Sequence, residues 1–371
     1  YTRVTMTNRL GALPDTLLTK LIEGNNIIGA QVKHVSPASL DLTVSDEIYK
    51  IRGLVLPKVG ESIRELMPFM EGVKASIDEP LQCDSLYLVK LNESLDLPEQ
   101  VYGYCNPKSS TGRLDMHVRV LADGVPRYDS ITPKGYKGEL WVAIAPKSFG
   151  VQIHSGTPLT QLRLFTGDTR FSELDLELSM QDGLVWHPSD DKKMLYSDLV
   201  TNDQDGTVVL TALVEEGMCG YECIADPAQV VDVANIAHYD PIEFFKPLQI
   251  IDGALRLERD KFYILSGAER VKIPPNLASE MVPMDERSGD FRSHYAGFLD
   301  PGWGWGSDGQ GKGRPFTLEV RPFEDLVVRS GQPIAKIRFE RLTAEPSEHY
   351  DSGGNHNYQS QSGPKLGKQF R

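Results

Sequence analysis

No apolar run in this 371-residue sequence approaches the roughly 20 residues needed to span a bilayer, and no signal-peptide pattern opens it. A cytoplasmic location is the expectation. Cysteine is scarce: Cys83, Cys105, Cys219 and Cys223 are too few and too scattered for a disulfide framework in a chain of this length. Cys219 and Cys223 flank Gly-Tyr-Glu, but one such pair without a second Cys/His pair is a weak zinc signal, and reduced thiols are expected. Basic charge is also short. Lys and Arg number 39 against 52 Asp and Glu, and the net charge of -13 argues against nonspecific nucleic-acid binding, which needs a basic face. A small phosphorylated ligand remains open, because only the field at its own site acts on it. One segment reverses the sign: 352–371 holds no acidic residue but carries Lys365, Lys368 and Arg371. Such a tail is either a solvated end or a flap for an anion.

Helical signals are few as well. Asp15 can cap a helix over Thr16–Glu23, where Leu17, Leu18, Leu21 and Ile22 recur at helical spacing and Gly24 stops the run. A second short helix is expected around Val208–Glu216. Elsewhere short β-type runs such as Leu86–Leu91, Leu140–Ile144 and Gln161–Phe165 are broken by Gly, Pro, Asn and Asp. With 33 Gly, 24 Pro and a mean hydropathy of -0.31, the expected class is a soluble, mainly all-β protein of barrels or sandwiches.

The length exceeds what one core usually fills, and an internal repeat supplies the second. Ser155-Gly-Thr-Pro-Leu-Thr-Gln-Leu-Arg-Leu-Phe165 is echoed by Ser330-Gly-Gln-Pro-Ile-Ala-Lys-Ile-Arg-Phe-Glu340. Leu86-Tyr-Leu-Val returns as Phe262-Tyr-Ile-Leu, Lys108-Ser-Ser-Thr-Gly-Arg113 as Arg287-Ser-Gly-Asp-Phe-Arg292, and Trp141-Val-Ala-Ile-Ala-Pro146 as Thr317-Leu-Glu-Val-Arg-Pro322. The order is kept at offsets of 175 to 179 residues. Domains are therefore expected at 1–170 and 206–371, joined by a polar connector at 171–205 whose interior, Glu173–Met180, can pair as a strand.

The motifs inside the repeat resemble those of dCTP deaminases. Val35-Ser-Pro-Ala-Ser-Leu-Asp-Leu42, after the helix holding Leu21-Ile-Glu-Gly24, is similar to that family's N-terminal signature. Lys108-Ser-Ser-x-x-Arg113 resembles its basic-Ser-Ser-x-x-Arg motif. Phe298-Leu-Asp-Pro-Gly-Trp303 with Thr317-Leu-Glu319 resembles its Asp-Pro-Gly-Trp and catalytic-glutamate segments, and Asn357-Tyr-Gln-Ser-Gln-Ser-Gly-Pro364 its C-terminal flap. The resemblance implies two tandem dUTPase-like distorted β-barrel or jelly-roll domains with a few short helices. It also implies a nucleotide partner (dCTP or dUTP) and a homo-oligomer with sites built between neighbouring repeats.

Deaminating cytosine needs a water at C4, a base for its proton and an acid for the departing amine. Zinc deaminases use a metal-bound hydroxide and a His-x-Glu…Pro-Cys-x-x-Cys signature, which is absent here. A zinc-free route needs one carboxylate that cycles protons in a partly desolvated site. The resemblance assigns that role to Glu319, and the holding of water to Ser109 or Ser288 with the carbonyl of Ala122 or Ala296. Hydroxyls and a guanidinium suit phosphate: Lys108, Ser109, Ser110 and Arg113 in the first half, Arg287, Ser288 and Arg292 in the second. Asp300, Trp303 and the flap residues Tyr358, Gln361 and Lys365 complete the candidate nucleotide site. Magnesium is expected with the triphosphate, bound through phosphate oxygens.

The halves are not equal. Where the second has Glu319 the first has Ala143, and a methyl group cannot shuttle protons. The first half also lacks Asp-Pro-Gly-Trp, having Pro133-Lys-Gly-Tyr-Lys-Gly138 instead; the second has Gly289 in place of Ser110. Each working site is thus expected to join the first half's phosphate motif to the second half's glutamate and flap. Two alternatives stay open: a deaminase that also cleaves dUTP, with Asp300 as the second carboxylate, or a plain dUTPase; and a non-catalytic nucleotide-binding regulator. His34, His117, His154 and His294 show no ligand spacing.

Overall fold

A computed structural model describes residues 9–199, 203–215, 219–284, 297–352 and 361–371. The chain is mainly β, with barrel-like sheets and few helices, and divides into two compact units. The first unit comprises residues 1–168, 225–239 and 367–371; the second comprises 169–224 and 240–366. The chain therefore contributes to the first unit three separate times.

In the first unit one antiparallel sheet runs in the order Met116–Ala122, Lys137–Pro146, Leu86–Asp96, Ser39–Ile51, Pro158–Phe165, Tyr102–Pro107, Ser130–Ile131. The helix Asp15–Glu23 forms as its spacing predicts and buries Leu17, Leu18 and Leu21, with Pro14 at its cap and Asp15 in the first turn. Strand Gly150–Gln152 pairs in parallel with Val230–Asp232, so a segment of the second half completes the first unit. Residues 237–239 then hydrogen-bond to the C-terminal segment, through Ala237 N–H to Lys368 O at 2.9 Å and His238 N–H to Gln369 O at 2.8 Å.

In the second unit, strand Tyr263–Val271 pairs with Arg314–Val320 on one side, and with Gly220–Cys223 and Val185–Trp186 on the other. A second sheet runs Thr207–Thr211, Pro333–Arg341, Leu277–Val282, Phe298–Leu299 among the described residues. Phe316, Leu318, Val320, Ile334, Ile337 and Phe339 meet in the core between them.

The repeat is visible in the strand register. Ala143 pairs with Leu88 in the first unit and Glu319 with Ile264 in the second, both members displaced by the same 176 residues. The same strand pair breaks register between Lys90 and Ser94, and again between Ser266 and Arg270. Each break carries a buried glutamate. Glu93 accepts the Thr43 N–H and hydroxyl at 2.9 and 2.8 Å; Glu269 accepts those of Thr211 at 2.8 and 2.6 Å. Burial pushes both carboxyl groups above the usual carboxylate range, and the threonine donors pull partly back. The turns repeat too, with Gly156 at φ +84° and Gly331 at φ +79°, where a side chain would be strained.

Two local expectations are corrected. The helix expected around Val208–Glu216 does not form over the described residues 208–215: Thr207–Thr211 is a strand, as its β-branched run Thr-Val-Val favours. Glu173–Met180 is not a strand: Glu173–Gln181 is a helix. Its leucines alternate with a period of two, but the Ser172–Asp175 capping box starts a helix and Leu176 and Met180 reach the core. The alternation survives as Leu174 and Leu178 left exposed. No described helix is long and apolar enough to cross a membrane.

Candidate active site

Glu319 lies on strand Arg314–Val320, which is buried on both faces. Strand alternation sends Phe316, Leu318 and Val320 into the core and turns Thr317 and Glu319 to the opposite face. That face is covered rather than wet, because Glu319 is only 2% exposed. Part of the cover is the C-terminal segment. Gln361 Nε2 donates to Pro315 O at 3.0 Å, Thr317 Oγ1 donates to Gly363 O at 3.3 Å, and Lys365 N–H donates back to Thr317 Oγ1 at 3.3 Å. Gln361 and Lys365 are thus brought onto the strand that carries the glutamate.

The same face in the first unit is closed. Trp141 and Ala143 stand at the positions of Thr317 and Glu319, packed among Ile51, Ile63, Leu66, Met70, Leu88 and Leu121. A 3-10 turn, Ile63–Leu66, covers them, held by a Ser62–Glu65 capping box. Arg64 on that turn lies 5.0 Å over the Trp141 ring and pairs with Glu47 and Glu139. Where the second unit has its glutamate, the first has a packed apolar plug.

The Asp-Pro-Gly-Trp stretch forms a turn in which Trp303 N–H donates to Asp300 O at 3.2 Å. Gly302, at φ +89°, has no room for a Cβ, which would meet the His349 ring at 2.6 Å. Trp303 is a core residue, 5.2 Å from the Tyr350 ring and under the Arg314 guanidinium. Arg314 in turn grips Asp351 through two bonds of 2.8 and 3.0 Å, and Asp351 also accepts the Gly306 N–H. The Gly-rich loop ahead of the glutamate strand is therefore pinned.

The phosphate motif of the first unit folds as a single helical turn, Ser109–Gly112. Lys108 precedes it and pairs with both oxygens of Asp41 at 2.5 Å. Ser109 and Ser110 are partly exposed at the turn, and Arg113 behind them is buried, 3% exposed. The Ala122 carbonyl, at the end of strand Met116–Ala122, accepts Val125 N–H at 3.1 Å and keeps a second lone pair. Lys108 and Ser110 line a cavity of about 330 Å³ together with Lys368 and Gln369. Asp41, Thr317, Lys368 and Gln369 were not nominated from sequence. Lys368 was visible only as part of a basic tail, and Asp41 only as a letter in the N-terminal signature. Arg287, Ser288, Arg292, Ala296 and Tyr358 lie outside the described residues, as do Gly289 and His294. Among the described residues, no group of three or more His, Cys, Asp or Glu is placed to hold a metal ion.

Among curated protein sequences, none matches the chain significantly. The crystal structure of 2'-deoxycytidine 5'-triphosphate deaminase from Agrobacterium tumefaciens is similar, with 32% identity and a TM-score of 0.80 over 92% of this chain and 100% of that one. Residues 9–168 match the family model of the 2'-deoxycytidine 5'-triphosphate deaminase N-terminal domain, and residues 184–370 match that of its C-terminal domain. With both models met in order along one chain, the protein belongs to the dCTP deaminase family.

Proposed function

We propose that the chain hydrolyses dCTP to dUTP and ammonia, with Glu319 as the proton shuttle. The observation that carries the assignment is a carboxylate 2% exposed at a strand position whose repeat partner is the plugged Ala143. Burying a carboxylate is costly and is retained where the group has work to do. The water oxygen attacks C4 of the base while Glu319 takes its proton. The carboxyl group passes that proton to ring N3, then takes the proton of the new C4 hydroxyl and passes it to the amine, which leaves as ammonia as the C4 carbonyl forms. The Ser109 hydroxyl and the free lone pair of the Ala122 carbonyl are suited to hold the water, and Arg113, Ser110 and Lys108 to hold phosphate.

Each working site joins the phosphate motif of a first repeat to Glu319, Asp300 and the C-terminal segment of a second, within a homo-oligomer. Magnesium enters with the triphosphate, whose oxygens bind it, and no described carboxylate cluster competes for it. This zinc-free route also fits the missing zinc-deaminase signature.

The test is to incubate the protein separately with dCTP and dUTP and follow ammonia and pyrophosphate. Ammonia from dCTP alone is the expected result. Pyrophosphate from dUTP would move the assignment to a diphosphatase, and binding without either product to a regulator. Glu319→Gln should lower kcat by about 10²–10⁴-fold while leaving nucleotide affinity within a few-fold. A rate within a few-fold of the parent would remove Glu319 from the mechanism.

A further inference from the structure

The cavity beside Lys108 has a wall that the family motifs do not account for. Lys368 stands in it with Lys108, Ser110, Thr157 and Gln369, above an apolar floor that includes Leu114 and Leu159. Lys108 is already neutralised by Asp41, whereas among the described residues no group is hydrogen-bonded or ion-paired to the Lys368 ammonium. Two ammonium groups and one carboxylate leave one positive charge uncompensated. Burial, and then Lys108, hold the Lys368 ammonium below its ordinary pKa, against the pull of Asp41. Gln369, 1% exposed, donates Nε2 to Val233 O at 3.1 Å and leaves Oε1 without a partner on the same cavity.

The segment is not a loose end. Its backbone is tied to residues 237–239 by Lys368 O, Gln369 O and the Arg371 N–H, which donates to Tyr239 O at 3.1 Å. The fold therefore spends several hydrogen bonds on holding an uncompensated cation in a partly buried place next to another cation. Like charges in a medium of reduced dielectric repel, and an anion between them converts the repulsion into attraction.

We propose that Lys368 is a phosphate-binding residue which, with Lys108 and Ser110, holds the polyphosphate group of the nucleotide. The inference rests on reading Lys108–Arg113 as the phosphate motif, and it adds a ligand from the far end of the chain. Its chemistry is that of a point-charge contact to a multiply charged anion.

The test uses inorganic tripolyphosphate as the probe, titrated calorimetrically into the full chain and its Lys368→Met, Lys368→Gln and Lys368→Arg variants. Lys20→Met, the same charge change on an exposed helix position, is the control. Both neutral variants should lose about ten-fold in tripolyphosphate affinity, Lys368→Arg should recover most of it, and Lys20→Met should match the parent. For dCTP turnover, the neutral variants should raise KM by a similar factor with kcat within about two-fold. The Gln variant keeps a polar end, so a packing defect confined to Met is recognised as such. Parent-like tripolyphosphate affinity in both neutral variants overturns the proposal, as does an equal loss in Lys20→Met. Failure of the deaminase reading looks different: tripolyphosphate binding still depends on Lys368, but dCTP yields no ammonia.

Discussion

Restoring the missing glutamate by Ala143→Glu should destabilise the first unit and create no new activity. Ala143 is 3% exposed and lies in a closed apolar cluster with Trp141, Leu88, Leu121, Met70 and Leu66. A carboxylate forced into that cluster takes up a proton in preference to being buried charged. With an unperturbed pKa near 4.3, remaining neutral at pH 7 costs about 1.36 × (7 − 4.3), or about 3.7 kcal/mol. Crowding four further heavy atoms under the Ile63–Leu66 turn adds about 1–3 kcal/mol. The sum, about 5–7 kcal/mol, is comparable to the whole stability of many domains. The proton part has a signature. At pH 5 it falls to about 1 kcal/mol, so the variant should regain about 2.7 kcal/mol relative to the parent. Urea unfolding followed at both pH values measures the difference, and ammonia release per chain measures activity. A loss under about 1 kcal/mol at pH 7, or a rise in turnover per chain, would refute the plugged-site argument.

Other expectations follow from groups to which no contact with the nucleotide is assigned. Burial pushes Asp129 up to about 6, while its carboxylate accepts Val120 N–H at 2.7 Å. A carboxyl group held above its unfolded value gives stability that is full below about pH 4 and lost as the pH rises through about 6. Asp129→Asn keeps the acceptor and removes the charge; because the side chain is only partly enclosed, a gain of about 1–2 kcal/mol is expected at pH 8 and almost none at pH 4, read by urea midpoints. Thr211→Val strips one donor from buried Glu269 and should cost the second unit about 1–3 kcal/mol, with Thr43→Val doing the same to the first. Midpoints unchanged within about 0.5 kcal/mol would show that these pairs do not hold the register breaks.

Much of this was legible in the sequence because duplication compares the chain with itself. The 176-residue displacement that aligns Ala143 with Glu319 in sequence is the displacement found in the strand pairing. Short-range signals did less well where two periods competed. In Glu173-Leu-Asp-Leu-Glu-Leu178 the leucines alternate like a strand, and only the Ser172–Asp175 capping contacts decide for a helix. In Thr207–Thr211 the apolar run fits either element, and pairing with Pro333–Arg341 decides for a strand. The Thr–Glu pairs join residues 50 and 58 positions apart, and nothing local marks them. The place of Lys368 was hidden for the same reason, since its neighbours Lys108 and Val233 are distant in sequence and met only through tertiary pairing.

The threefold entry of the chain into the first unit sets a timetable for synthesis. Its first portion emerges early, residues 225–239 follow after only the segment 169–224 of the second unit, and residues 367–371 follow the rest of that unit. Strand Gly150–Gln152 lacks its parallel partner until residues 230–232 are made, and the Lys108 cavity lacks Lys368 and Gln369 until much later. The unit begun first therefore receives its last segment, 367–371, after the second unit's last residue, 366. A released chain ending at residue 366 should leave the backbone groups of residues 237–239 that pair with 368–371 open on the first unit, while it retains the last residue of the second unit.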